Sequence, residues 1–185
     1  MTFALLMVVA GAIYRLVPHP MNVAPVAALA LIGGMYFGRR YALWMPLAIL
    51  AVSDLVLNSR MGYPVIYWPR LIDYAAFAAV GALGMWLRTR PTGAKVTGAV
   101  ATPFFFFLLS NFGVWLFGLN LANEHYSKTL AGLANCYAAA LPFLRGTLVG
   151  DWAFTALFAA GIWALSYSPM ILTSTRLRRL PSNSP

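Results

Sequence analysis

Apolar runs at about 2–17, 22–38, 41–58, 66–87, 96–118 and 147–168 fill most of the 185 residues, separated by short polar breaks. Each is near the roughly 20 residues that carry a helix across a bilayer, with the first three on the short side. Nothing else in the chain restricts the fold so strongly. The expected architecture is all-α: a polytopic membrane protein with six transmembrane helices. Residues 1–172 then form a single transmembrane domain and 173–185 a basic, polar cytoplasmic tail. The N-terminal MTFALLMVVAGAIYR lacks a basic n-region and is read as the first span, although its AGA resembles a signal-peptide cleavage site.

Charged residues make up only 9% of the chain and hydrophobic residues 61%, whereas soluble domains carry about 25% charged residues. The net charge of +9 does not point to nucleic acid, because no basic patch is interleaved with aromatics. Loop bias toward Lys and Arg accounts for it. With six spans, Arg39, Arg40, Arg88, Arg90, Lys95, Arg176, Arg178 and Arg179 share one side without an acid. Arg15, Arg60, Arg70, Lys128 and Arg145 lie on the other with every acidic residue. That bias places both termini in the cytoplasm. A seventh apolar run, Thr129–Leu144, would send the basic tail outside if it crossed. It is therefore expected as a short non-spanning helix near 129–142, ended by Pro142 and turned into span 6 by Arg145-Gly146.

Within this frame the inner connections are short and the elaboration lies outside, in loops 18–22, 58–69 and 119–146. The segment Arg15 to Arg40 opens with Pro18, His19, Pro20 and Asn22. The prolines stiffen the connection and Asn22 is expected as a helix N-cap, with Pro25 in the first turn. Asp54, Arg70, Asp73 and Asp151 fall near outer helix ends, where ionisable groups pair or face a cavity. One reading lines an outward pocket with them. The other pairs Arg70 with Asp73 at i, i+3 and lets Asp54 bond a neighbouring helix end. Asn111 and Trp115, at i, i+4, suit a ligand hydrogen bond with a stacking partner, or equally an interhelical bond and an interfacial anchor. Asn135, Tyr137 and Asp151 could line a gate formed by a hairpin of the non-spanning helix and span 6, or simply pack. Asp151 is expected to bond Arg15 or the loop around Pro20–Asn22 and so tie span 6 to the opening motif.

Cys136 suits a soft ligand to cobalt or haem, but a lone cysteine in an apolar helix is more often a small buried hydrophobe. His19 and His125 form no H-x-x-x-H pair, so no metal and no cofactor is expected. No G-x-S-x-G, HExxH or P-loop is present, which argues against an enzyme. Small residues every four positions, Ala156, Ala160 and Ala164 on span 6 and Ala24 and Ala28 on span 2, suit close helix contact, within the chain or with a partner subunit.

RLVPHPMNVAPVAALALIGGMYFG, PLAILAVSDLVLN and KTLAGLANCYAAALPFLRGTLVGDW together resemble a family of small, uncharacterised bacterial six-helix membrane proteins. The resemblance covers most of residues 13–160 and rests on R-x-x-P-H-P-x-N-x-x-P and G-T-L-x-G-D. That family is distantly similar to the S components, the substrate-binding subunits of energy-coupling-factor vitamin transporters. The resemblance implies an outward pocket made by the loops after spans 1, 3 and 5 and the outer halves of spans 4 to 6. It also implies docking of span 1 on a coupling protein through an Ala-x-x-x-Ala face, where this chain offers Ala4, Val8 and Ala12. The expected function is binding or uptake of a small vitamin-like ligand, with membrane lipid as solvent. The alternative is a non-catalytic accessory subunit of a larger membrane complex.

Overall fold

A computed structural model describes residues 2–62, 68–120 and 122–166. The polar tail 173–185, with Arg176, Arg178 and Arg179, lies outside the described residues, as does the middle of the 58–69 loop. The described chain is all-α: α1 Thr2–Leu16, α2 Val26–Ile32 running into a π-helical turn Gly33–Phe37, α3 Arg39–Met61, α4 Trp68–Leu87, α5 Thr92–Phe117 and α6 Leu130–Ser166.

Four helices, α3 to α6, are long and apolar enough to cross a membrane. The first two of the six expected spans are apolar but shorter. At about 1.5 Å per residue, the 15 residues of α1 reach roughly 22 Å, against a hydrocarbon core of about 30 Å. The reason is visible in the connection. Pro18, Pro20 and Pro25 take residues 17–25 out of helix, so α2 starts at Val26 rather than Asn22.

The hub of the bundle is α2. All of its residues, Val26 to Ile32, are buried, as expected of a helix that is apolar all round. It packs on α3, α4, α5 and α6, and α1 lies chiefly on α3. Tyr14 meets Phe154 edge-on at 5.0 Å, so α1 also touches α6. Close approach at the hub depends on glycine. A Cβ at Gly34 would stand 2.5 Å from the Gly81 carbonyl oxygen and 2.6 Å from the Met85 nitrogen, both on α4. Lipid-embedded helices associate through such small-residue contacts. Gly38 then closes the π turn at φ 96°, and α3 begins at the next residue.

Two expectations are corrected, and one that was left open is narrowed. The helix near 129–142 does not end at Pro142: α6 is one rod of 37 residues with that proline inside it, about 55 Å long. Proline forfeits one backbone donor, and the apolar, alanine-rich sequence on either side carries the helix past it. The 129–142 segment is thus an in-line extension of the last span, with no hairpin. Ala156, Ala160 and Ala164 are exposed, while Ala28 is fully buried. Finally, the Ala4–Val8–Ala12 face of α1 is turned inward, with Ala4 buried and Val8 and Ala12 packed on the core. The outer side of α1 is Leu5, Leu6, Val9 and Ile13, so the docking face implied by S components is occupied within the chain.

Candidate functional site

Buried charge concentrates at one end of the bundle, where α1 and α3 finish and α4 begins. Asp54, 2% exposed, is its centre. Arg15 Nη2 donates to Asp54 Oδ1 at 2.6 Å, and Arg70 Nε lies 3.3 Å from Oδ2. Tyr74 donates its hydroxyl to Oδ2 at 3.1 Å, and Arg70 Nη2 donates to Asn58 Oδ1 at 3.4 Å. Helix periodicity explains the assembly. Asp54 and Asn58 are i, i+4 on α3, and Arg70 and Tyr74 are i, i+4 on α4, so each pair occupies one face. The Arg70 ion pair therefore crosses between helices to Asp54, instead of being the local bridge to Asp73 that sequence spacing allows.

Beside this cluster lies a cavity of about 390 Å³. Arg15, His19, Asn22, Arg70, Asp73 and Asp151 supply most of its polar wall, with Ser110 and Thr147. Val26, Ala27, Leu50, Phe77 and Phe106 supply an apolar wall, the two phenylalanines stacked at 4.5 Å between centroids. The volume is in the range of small-molecule pockets, and about half of the lining residues are polar or charged.

The opening loop is held against this cavity by α6. Val23 N–H donates to Pro20 O at 3.1 Å, and Asn22 takes φ 59°, a left-handed conformation that asparagine tolerates. Asn22 is thus a turn residue at the cavity rim, and the expected N-cap role falls to Pro25, which has no side-chain cap bond. Gly146 and Gly150 allow the contact: Cβ atoms there would run into the Met21 carbonyl oxygen and the backbone of Val23 and Ala24. Non-helical backbone at membrane depth is tolerated where protein covers it. His19, ring to ring with Tyr14 at 5.0 Å, puts Nδ1 2.7 Å from Val17 O.

Asp151 makes no bond of the kind expected of it, to Arg15 or to the loop around Pro20–Asn22, and only shares the cavity wall with Arg15, His19 and Asn22. It is 4% exposed and lines the cavity, and its Oδ2 is buried without a hydrogen-bond partner. What ties α6 to the loop is glycine–backbone packing. Arg145 is exposed and has no bond to that loop among the described residues.

Other expected site residues lie elsewhere. Asn111 donates back to Phe107 O at 2.8 Å and Tyr137 to Leu108 O at 2.7 Å, both along the α5–α6 seam. Trp115 Nε1 donates to Ser127 O at 2.9 Å, while Lys128 Nζ bonds the Trp115 carbonyl and sits over its ring. Trp115 therefore fastens the 118–129 loop. Asn135 faces a separate open groove with Asn120, Glu124, His125 and Tyr126, so the proposed gate of Asn135, Tyr137 and Asp151 is dispersed over three places. Cys136 is buried, its Sγ 3.5 Å from Asn111 O. Asn58, Tyr74, Ser110 and Thr147 were missed as site residues.

The chain belongs to a family of unknown function (DUF6580), whose match spans residues 1–172. No curated protein and no solved structure matches it.

Proposed function

We propose that this chain is a membrane-embedded, non-catalytic binding protein for a small organic ligand, and that binding serves uptake. The observation that carries the reading is the cavity of about 390 Å³ walled by Arg15, Arg70, Asp73 and Asp151. Ionisable groups at membrane depth are expensive and mark substrate pathways more often than packing. Here Asp73 and Asp151 face the same hollow as the ion-paired Arg15–Asp54–Arg70 cluster.

In this reading all six apolar helices lie in a bacterial inner membrane with both termini cytoplasmic. The short α2 is shielded by the helices around it. Support comes from the far end of the bundle, where Arg39, Arg40, Arg88, Arg90 and Lys95 stand with no acid beside them in sequence. The cavity then opens toward the outer face, as in the S-component resemblance, without that family's α1 docking face.

A second reading, an accessory subunit of a larger complex, is favoured by the exposed Ala156, Ala160 and Ala164 stripe on α6, a surface suited to close helix contact. Native mass spectrometry of gently purified protein separates the two. A retained small organic molecule supports the binding protein, and co-purifying subunits with no small molecule support the accessory role.

A further inference from the structure

Resting on the binding reading, we propose that the ligand is a small protonated amine whose N–H group is seated on Asp151. Asp151 is 96% buried by the complement of its 4% exposure, it faces the cavity, and Oδ2 has no donor. A buried carboxylate without a partner is among the costlier features a fold can hold. The cations that share the cavity are directed away from Asp151, although Arg15 Nε is itself buried without an acceptor. Arg15 and Arg70 both lean on Asp54, at 2.6 Å and 3.3 Å. His19 directs Nδ1 to a backbone carbonyl.

The ion pairing points the same way. Both guanidinium groups of the cavity are set against Asp54, and among the described residues no cation lies within ion-pair distance of Asp151. A ligand that brings one positive charge and one N–H donor supplies the partner that Asp151 Oδ2 lacks. The apolar wall of Val26, Leu50, Phe77 and Phe106 suits a hydrocarbon or aromatic body on that amine. A hard metal cation fits less well. Calcium takes roughly six to eight oxygens, and among the described residues no three His, Cys, Asp or Glu side chains group as a metal site.

The test uses the full-length protein in detergent, with intrinsic tryptophan fluorescence followed through thermal unfolding. Benzylammonium chloride, benzyltrimethylammonium chloride, benzyl alcohol and sodium chloride are compared at matched concentration and, for the salts, matched ionic strength. Benzylammonium is expected to raise Tm by about 5 °C or more at saturation, and the other three are expected to give no comparable gain. Asp151→Asn is expected to abolish the gain while unfolding no lower than wild type in sodium chloride. The ranking of probes on wild type decides even if the variant does not fold. Equal gains from the alcohol or the trimethyl cation, no gain from benzylammonium, or a gain that survives in Asp151→Asn, would each overturn the assignment. Native mass spectrometry keeps the two readings apart. A retained neutral or anionic molecule overturns the amine alone, whereas no retained molecule and no probe response overturn the binding reading as well.

Discussion

Replacing Asp54 with asparagine should be the most damaging isosteric change in the protein. Among the described residues Asp54 is the carboxylate that both Arg15 and Arg70 reach, and it also accepts from Tyr74. The side chains of the two arginines are only 14% and 19% exposed, so the water that reaches them through the cavity offsets the lost charge only in part. Removing one member of a buried ion pair costs about 3–5 kcal/mol, because the other is left uncompensated. Here both guanidinium groups lose the carboxylate they share. Taking 3 kcal/mol as the lower end, the folded-to-unfolded ratio falls roughly 150-fold. For a chain of this size Tm falls by about 6–12 °C. Thermal unfolding in detergent would measure it, with Arg60→Gln, on an exposed residue at the end of α3, as a control expected to stay within about 0.5 kcal/mol. Arg15→Gln should cost less than Asp54→Asn, since Asp54 keeps Arg70 and Tyr74. The double variant should cost less than the sum. Asp54→Asn as stable as wild type would refute the idea that this carboxylate holds the cluster together.

Two further predictions concern backbone approach. Gly34→Ala places a methyl group 2.5 Å from the Gly81 carbonyl, where no side chain can yield; it should lower stability by about 1–3 kcal/mol, the range for overpacking, read as loss of Tm in detergent. Gly146→Ala pushes α6 away from the Met21 carbonyl and so loosens the opening loop. It should raise the rate of proteolysis within residues 17–25 with a smaller loss of Tm than Gly34→Ala, as shown by mass mapping of the fragments.

How far the site could be read in advance depended on the kind of signal. Arg15, Asp54, Arg70, Asp73 and Asp151 stood out because charge in apolar sequence is rare, and they do gather at one end of the bundle. Asn58 and Tyr74 were hidden by their ordinariness, although each lies one helical turn from a charged residue already singled out. Asn111, Trp115 and Tyr137 show the opposite error. A polar side chain in an apolar helix can be satisfied by a nearby carbonyl, as Asn111 is by Phe107, and composition does not reveal that. The hub was legible as an apolar helix but not as the centre. Burial of α2 on all sides depends on Gly34 meeting Gly81 and Gly84 across the packing, a contact between segments far apart in sequence. Pro142 misled because proline is a stop signal on average, yet the helix runs through it.

If the cavity at the Asp54 end of the bundle opens outward to water, as proposed, cysteine accessibility shows it most directly. In a Cys136→Ser background, which removes the single native cysteine, Asn22→Cys places a thiol at the cavity rim and Ser110→Cys one on its wall. Intact cells are treated with a membrane-impermeant thiol reagent, and inverted vesicles with the same reagent. Labelling of both positions in intact cells, with Asn22→Cys the faster and neither labelled in inverted vesicles, is the predicted result. Labelling from the cytoplasmic side alone, or no labelling of Ser110→Cys from either side, would contradict the account.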